Sequence, residues 1–140
     1  GADVNLTTND GYSPLIHAVS KNDLVAVQKL LGAGVNLNQA TKGGWQAIHF
    51  TVNKEEYQKH DATRLLKELI EAGADINSRI GAGFTPLMLA SVNGRFNEAK
   101  LLIDVGADAK IKNSKNNRRT ALDYAALTGH RDILNLLKKL

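Results

Sequence analysis

The chain contains no cysteine, which excludes both a disulfide framework and a cysteine-ligated zinc centre. Only two prolines, one methionine and seven aromatic residues occur in 140 positions, so where each of them falls carries information. No apolar run approaches the ~18 residues of a membrane span, and the first residues lack the basic start and apolar core of a signal peptide. No membrane association is therefore expected. The expected location is the cytoplasm, with a nuclear place or export as a bacterial effector as the alternatives.

Catalytic patterns are missing as well. The four histidines, His17, His49, His60 and His130, form no HExxH pair, and no cysteine is present to act as nucleophile or to complete a deaminase-type zinc motif. His60 and Asp61 are adjacent, and neighbouring side chains on a helix diverge, which makes them a poor metal pair. Gly81-Ala82-Gly83 has neither the lysine nor the spacing of a phosphate cradle, and a turn explains these glycines better. The expectation is a chain that is not an enzyme and has no catalytic residue, cofactor site or metal site.

What the chain does contain is a recurring unit. Thr85-Pro86-Leu87 reads as a helix start, with Thr85 as N-cap and Pro86 at the first helical position, where a missing amide costs nothing. Asn93-Gly94 supplies a positive-φ stop, and a second apolar run through Ala99, Leu101, Leu102 and Ile103 reaches Gly106. The start phrase returns as Ser13-Pro14-Leu15, Gln46-Ala47-Ile48 and Thr120-Ala121-Leu122, at spacings of 33, 39 and 35 residues. A second phrase, Gly73-Ala74-Asp75-Ile76-Asn77, returns as Gly1-Ala2-Asp3-Val4-Asn5, Gly34-Val35-Asn36-Leu37-Asn38 and Gly106-Ala107-Asp108-Ala109-Lys110.

In period and phrase the chain resembles the ankyrin repeat family, whose unit of 33 residues carries a T-P-L-H-x-A signature. The resemblance covers the whole chain. It implies an all-α fold, a solenoid of stacked helix-turn-helix units with β-turn or hairpin fingers, forming a single domain over residues 1–140. Residues 1–5 read as the end of a truncated repeat, 6–38 as repeat 1, 39–77 as repeat 2, 78–110 as repeat 3 and 111–140 as a capping-like last repeat. Because the chain opens in mid-pattern, a fragment or a mature form of a longer chain is expected, with the N-terminal face of the first hairpin exposed.

Repeat 2 departs furthest from the pattern. Gln46-Ala47 replaces Thr-Pro, which removes the capping hydroxyl at a cost of about 1 kcal/mol. Six extra residues fall around Lys54 to Asp61 between its helices, either as a solvated lengthening of the helix pair or as a partner-specific bulge centred on Tyr57. Repeat 4 carries a two-residue extension in its finger, between Asn113 and Arg119. Its end, with Arg131, Lys138 and Lys139, resembles a polar C-terminal cap.

The resemblance also implies where binding occurs. Fingers and inner helices line a concave surface, and the residue before each Thr-Pro position projects into it, which here selects Tyr12, Trp45, Phe84 and Arg119. Three of the seven aromatics at one register position is more than chance placement suggests, and aromatics and arginine dominate interface hot spots. Packing against the neighbouring finger is the competing reading for each ring. By the same resemblance Asn9, Asp10, Lys42, Gly43, Gly81, Ala82, Asn116 and Asn117 are fingertip positions, and Ser20, Lys21 and Asn93 lie at inner-helix ends; Asn9, Asp10, Lys42, Ser20, Lys21, Asn93 and Arg118 complete the candidate protein-binding set.

Charge is uneven along the chain. Residues 110–140 hold eight Lys or Arg against two Asp, a balance of +6, while residues 1–109 balance at −2. A protein partner with an acidic patch near the last finger is expected, with steering of association as the main benefit. Nucleic acid is disfavoured, because no basic stripe runs along the first three repeats to track phosphates. A monomeric, non-catalytic protein-interaction module is the leading reading. A dedicated inhibitor such as an immunity protein or antitoxin would use the same surface.

Overall fold

The computed structural model describes residues 5–53, 61–115 and 117–140. Among them the chain forms eight helices and no strand. The inner helices are α1 (Pro14–Ser20), α3 (Ala47–Phe50), α5 (Pro86–Asn93) and α7 (Ala121–Thr128); the outer ones are α2 (Leu24–Gly32), α4 (Thr63–Glu71), α6 (Phe96–Asp104) and α8 (Arg131–Lys138). Each inner helix packs on its own outer helix and on the inner helix of the next unit, and α2, α4, α6 and α8 stack in sequence. This is the helical repeat solenoid that the recurring phrases predict.

The starts of the inner helices form as their sequences dictate. The Ser13 and Thr85 hydroxyls each accept the amide three residues on, at 3.2 Å in both cases. At Thr120 the bond is reciprocal: its hydroxyl accepts the Asp123 amide, and the Asp123 carboxylate accepts the Thr120 amide at 2.9 Å. α3 has only four residues and no hydroxyl cap. In its place the Gln46 N–H donates to Nδ1 of His49 at 2.9 Å, so the third helical residue reaches back to hold the start.

One continuous core runs between the two layers. Leu15, Ile16, Val19, Ile48, Leu65, Leu66, Leu69, Leu87, Met88, Leu102 and Ile133 are essentially inaccessible. Burying each such side chain contributes about 2 kcal/mol. Because each face is covered only by its neighbour, the units depend on one another for stability.

The fingers are turns closed by backbone bonds. Thr8 N–H donates to the Tyr12 carbonyl, Thr41 to Trp45 and Ile80 to Phe84, at 2.9, 2.9 and 3.0 Å. In the fourth finger the closing pair is Asn113 and Arg119, at 2.8 Å, two residues further apart. Successive fingers are laced together. Lys42 N–H donates to the Asp10 carbonyl at 3.1 Å and Gly81 N–H to the Gly43 carbonyl at 2.7 Å, and the Asn113 amide side chain donates to the Ala82 carbonyl at 3.1 Å.

Candidate functional site

Finger bases and inner helices bring the rings together in two groups. Tyr12, 38% exposed, sets its ring 5.8 Å from that of Phe50 on α3 in the next unit. Trp45, half-buried, lies 5.4 Å from the same Phe50 ring and edge-on to His49 at 6.1 Å. Phe84, also half-buried, packs 5.0 Å from Tyr124 on α7. Tyr12 and Phe84 thus each meet an aromatic residue of the following unit at the same register position, four residues past the helix cap. Phe50 and Tyr124 are themselves buried. Tyr12 and Phe84 therefore pack between units, Trp45 packs on the inner helix of its own unit, and all three still present an edge to solvent. Beside Tyr12, a cavity of about 410 Å³ is lined by Leu6, Thr7, Thr8, Ser13, Pro14 and His17.

His49 is the polar centre of the first ring group. It is fully buried, its Nδ1 accepts the Gln46 amide, and its Nε2 therefore carries the proton and donates to the Ser78 carbonyl at 3.0 Å. Burial holds its pKa below the ordinary 6.5, against weaker opposing pulls from the bonds to Ser78 and Gln46 and from Asp75. The ring is neutral at neutral pH.

The remaining candidates fall on different parts of this surface. Asn9, Asp10 and Lys42 are exposed at fingertips, and Asp10 and Lys42 also take part in the backbone lacing. Ser20 is half-buried, with its hydroxyl donating to the His17 carbonyl at 2.8 Å, and Lys21, exposed, ends α1. Arg119 is half-buried beside a cavity of about 370 Å³ that it lines with Asp123, Ala126 and Leu127. Arg118 and Asn117 are exposed and left-handed, with φ of 55° and 53°. Lys54 to His60 of the inserted segment and the fingertip residue Asn116 lie outside the described residues.

Asn93 has a structural task that its sequence position does not reveal. Its side-chain amide donates to the Val52 carbonyl at 2.8 Å, at the near root of the inserted segment. At the far root the buried Glu98 accepts the Ala62 amide at 2.9 Å and pairs with Arg95 at 2.7 Å. Arg95 also reaches the Thr51 carbonyl at 3.4 Å. Side chains of repeat 3 thus fasten both roots of the insertion in repeat 2. One signal for this was present: Glu98 puts a charge where the other outer helices carry Ala26, Leu65 and Ile133.

A family model of ankyrin repeats in three copies matches residues 56–140, and a second, of ankyrin repeats in many copies, matches residues 1–50. The chain belongs to the ankyrin repeat family. It is 31% identical over 137 residues to an ankyrin repeat protein of Acanthamoeba polyphaga mimivirus, covering 97% of this chain and 17% of that protein. To the nuclear factor NF-kappa-B p105 subunit of Gallus gallus it is 32% identical over 111 residues, covering 79% of this chain and 11% of the subunit. To dauer abnormal formation protein 25 of Caenorhabditis elegans it is 29% identical over 126 residues, covering 89% of this chain and 30% of that protein. The chain therefore spans less than a third of the length of these relatives. Ankyrin repeats are generally protein-interaction modules and typically non-catalytic. Among the described residues no helix of this ankyrin chain is long and apolar enough to cross a membrane.

Proposed function

We propose that this ankyrin domain is a non-catalytic module that takes a protein partner on the surface formed by its fingers and inner helices. The observation that carries the reading is the register: Tyr12, Trp45 and Phe84 stand at one position of three successive fingers, each partly exposed and each backed by a buried ring or by the core. A ring fixed from behind loses little freedom when a partner covers its open edge, which is how aromatic anchors contribute most. Arg119 takes the same place in the fourth finger, where the +6 balance of residues 110–140 favours a partner with an acidic patch. A dedicated inhibitor would occupy the same surface, so the two readings differ in the identity of the target and not in the site.

The test is partner capture from a lysate of the source organism, followed by measurement of the captured protein's affinity. A Tyr12→Ala, Trp45→Ala, Phe84→Ala variant, shown by circular dichroism to be folded, is expected to lose the partner, since each truncated anchor costs about 2 kcal/mol. Equal retention by the folded variant would remove the rings from the site.

A further inference from the structure

Fingers 1 to 3 place glycine immediately before the ring position: Gly11, Gly44 and Gly83, with φ of 85°, 81° and 88°. Two requirements coincide there. The left-handed backbone disfavours a side chain, and the next finger leaves no room for one. A Cβ on Gly11 would stand 2.9 Å from Cα of Thr41, one on Gly44 would stand 2.7 Å from the Gly81 amide nitrogen, and one on Gly83 would meet the Asn113 side chain.

The fourth finger has Arg118 at this place. It keeps the left-handed backbone, φ 55°, directly after Asn117 at 53°. Arginine gains nothing from that conformation, and among the described residues its side chain forms no ion pair that would explain it. Strain held at a loop tip without an internal partner points outward. We propose that Arg118 is the partner-contacting residue of the last finger and that its ligand is a carboxylate-rich stretch of the partner protein. The proposal rests on the reading of the chain as a protein-binding module.

Three further observations support it. Lys112 and Lys115 are exposed on the same finger, and among the described residues neither forms an ion pair. The neighbouring Asp123 carboxylate, held by the Thr120 amide and hydroxyl, offsets only one of the five cations Lys110, Lys112, Lys115, Arg118 and Arg119, so the finger keeps a net positive charge. The finger is also anchored. Asn113, fully buried, donates to the Ala82 carbonyl and to the Tyr124 hydroxyl, and its own Oδ1 accepts the Lys115 amide at 2.9 Å. A guanidinium displayed beside the anchored Asn113 can take a carboxylate with two parallel bonds. A nucleic acid would need cations along the other fingers, and residues 1–109 balance at −2.

A polyglutamate peptide at low ionic strength is the probe, read by isothermal titration and by the thermal midpoint of each variant. Arg118→Gly is expected to leave the midpoint equal or higher and to weaken polyglutamate binding about fivefold, the order of one exposed charge-assisted contact. Lys139→Ala removes one positive charge elsewhere and is expected to change the affinity by less than about twofold. The Tyr12, Trp45, Phe84 variant should still bind polyglutamate, so failure of the aromatic surface and failure of Arg118 are seen separately. The proposal is overturned if Arg118→Gly lowers the midpoint, if it leaves the affinity unchanged, if Lys139→Ala matches it, or if the chain binds single-stranded DNA in preference to polyglutamate.

Discussion

His49 is bonded at both ring nitrogens and buried under Trp45, so a second ring proton would remove the Nδ1 acceptor that holds the Gln46 amide and place a charge in an apolar interface. Burial lowers its folded-state pKa below the ordinary 6.5, which means that the unfolded chain takes up the proton first. The contribution of His49 to stability is therefore complete above pH 6.5 and is lost as pH falls from there through the lower folded-state value. We expect the thermal midpoint to drop as pH falls below the ordinary 6.5, with a smaller drop in His49→Gln, which cannot titrate. Asp61, whose pKa is lowered from 3.8 by its bonds to Thr63, acts only in more acid solution. Trp45 is the sole tryptophan, so its emission reports the same protonation directly. Parallel midpoint curves for the two proteins would mean that other groups carry the pH dependence.

The finger is the element that sets the spacing of the rings, and its lacing can be measured by comparing two glycines. Gly34 and Gly44 have φ of 75° and 81°, so alanine strains both backbones alike, yet a Cβ on Gly34 meets nothing within 4 Å while one on Gly44 reaches the Gly81 amide nitrogen at 2.7 Å. Gly34→Ala should cost about 1 kcal/mol in denaturant unfolding and Gly44→Ala about 2 kcal/mol or more, the excess being the displaced finger contact. Equal losses would mean that the fingers give way freely. Local features of this kind were legible in the sequence: Ser13-Pro14, Thr85-Pro86 and Asn93-Gly94 fix helix starts and a stop through bonds made within a few residues. The loss of the hydroxyl cap at Gln46 was equally legible. Its replacement by His49 joins two residues three apart, but depends on burial and on Ser78 from the next unit. What could not be read were contacts between units. Whether Tyr12 and Phe84 pack or project is decided by Phe50 and Tyr124 across a junction, and Asn93, assigned from its position to the binding surface, directs its amide to Val52.

At the scale of the whole molecule, stability is close to a sum of unit and junction terms, and the junction between repeats 2 and 3 is built unlike the others. Its outer layer carries an ion pair, Arg95 and Glu98, with side chains only 13% and 4% exposed, where the other outer helices place apolar residues at the position of Glu98. Removing one member of such a pair takes from the other its nearest opposite charge, typically a loss of about 3 kcal/mol, whereas replacing both by apolar side chains of similar volume is often near neutral. The pair itself lies at the start of α6, but Glu98 also accepts the Ala62 amide that starts α4, and Arg95 reaches the end of α3, so part of the loss falls on the junction. We therefore expect Glu98→Ala to do more than lower the midpoint. With the coupling term reduced, α1 to α4 should open at lower denaturant than α5 to α8, giving a broader transition and faster hydrogen exchange in the first two repeats. The double variant Arg95→Met, Glu98→Leu should recover the part of the loss that comes from the lone buried charge, but not the bonds to Ala62 and Thr51, so its transition should stay broader than that of the parent chain. If Glu98→Ala instead shifts the curve without broadening it, and exchange rises uniformly, the four units unfold as one and the ion pair is no weak seam.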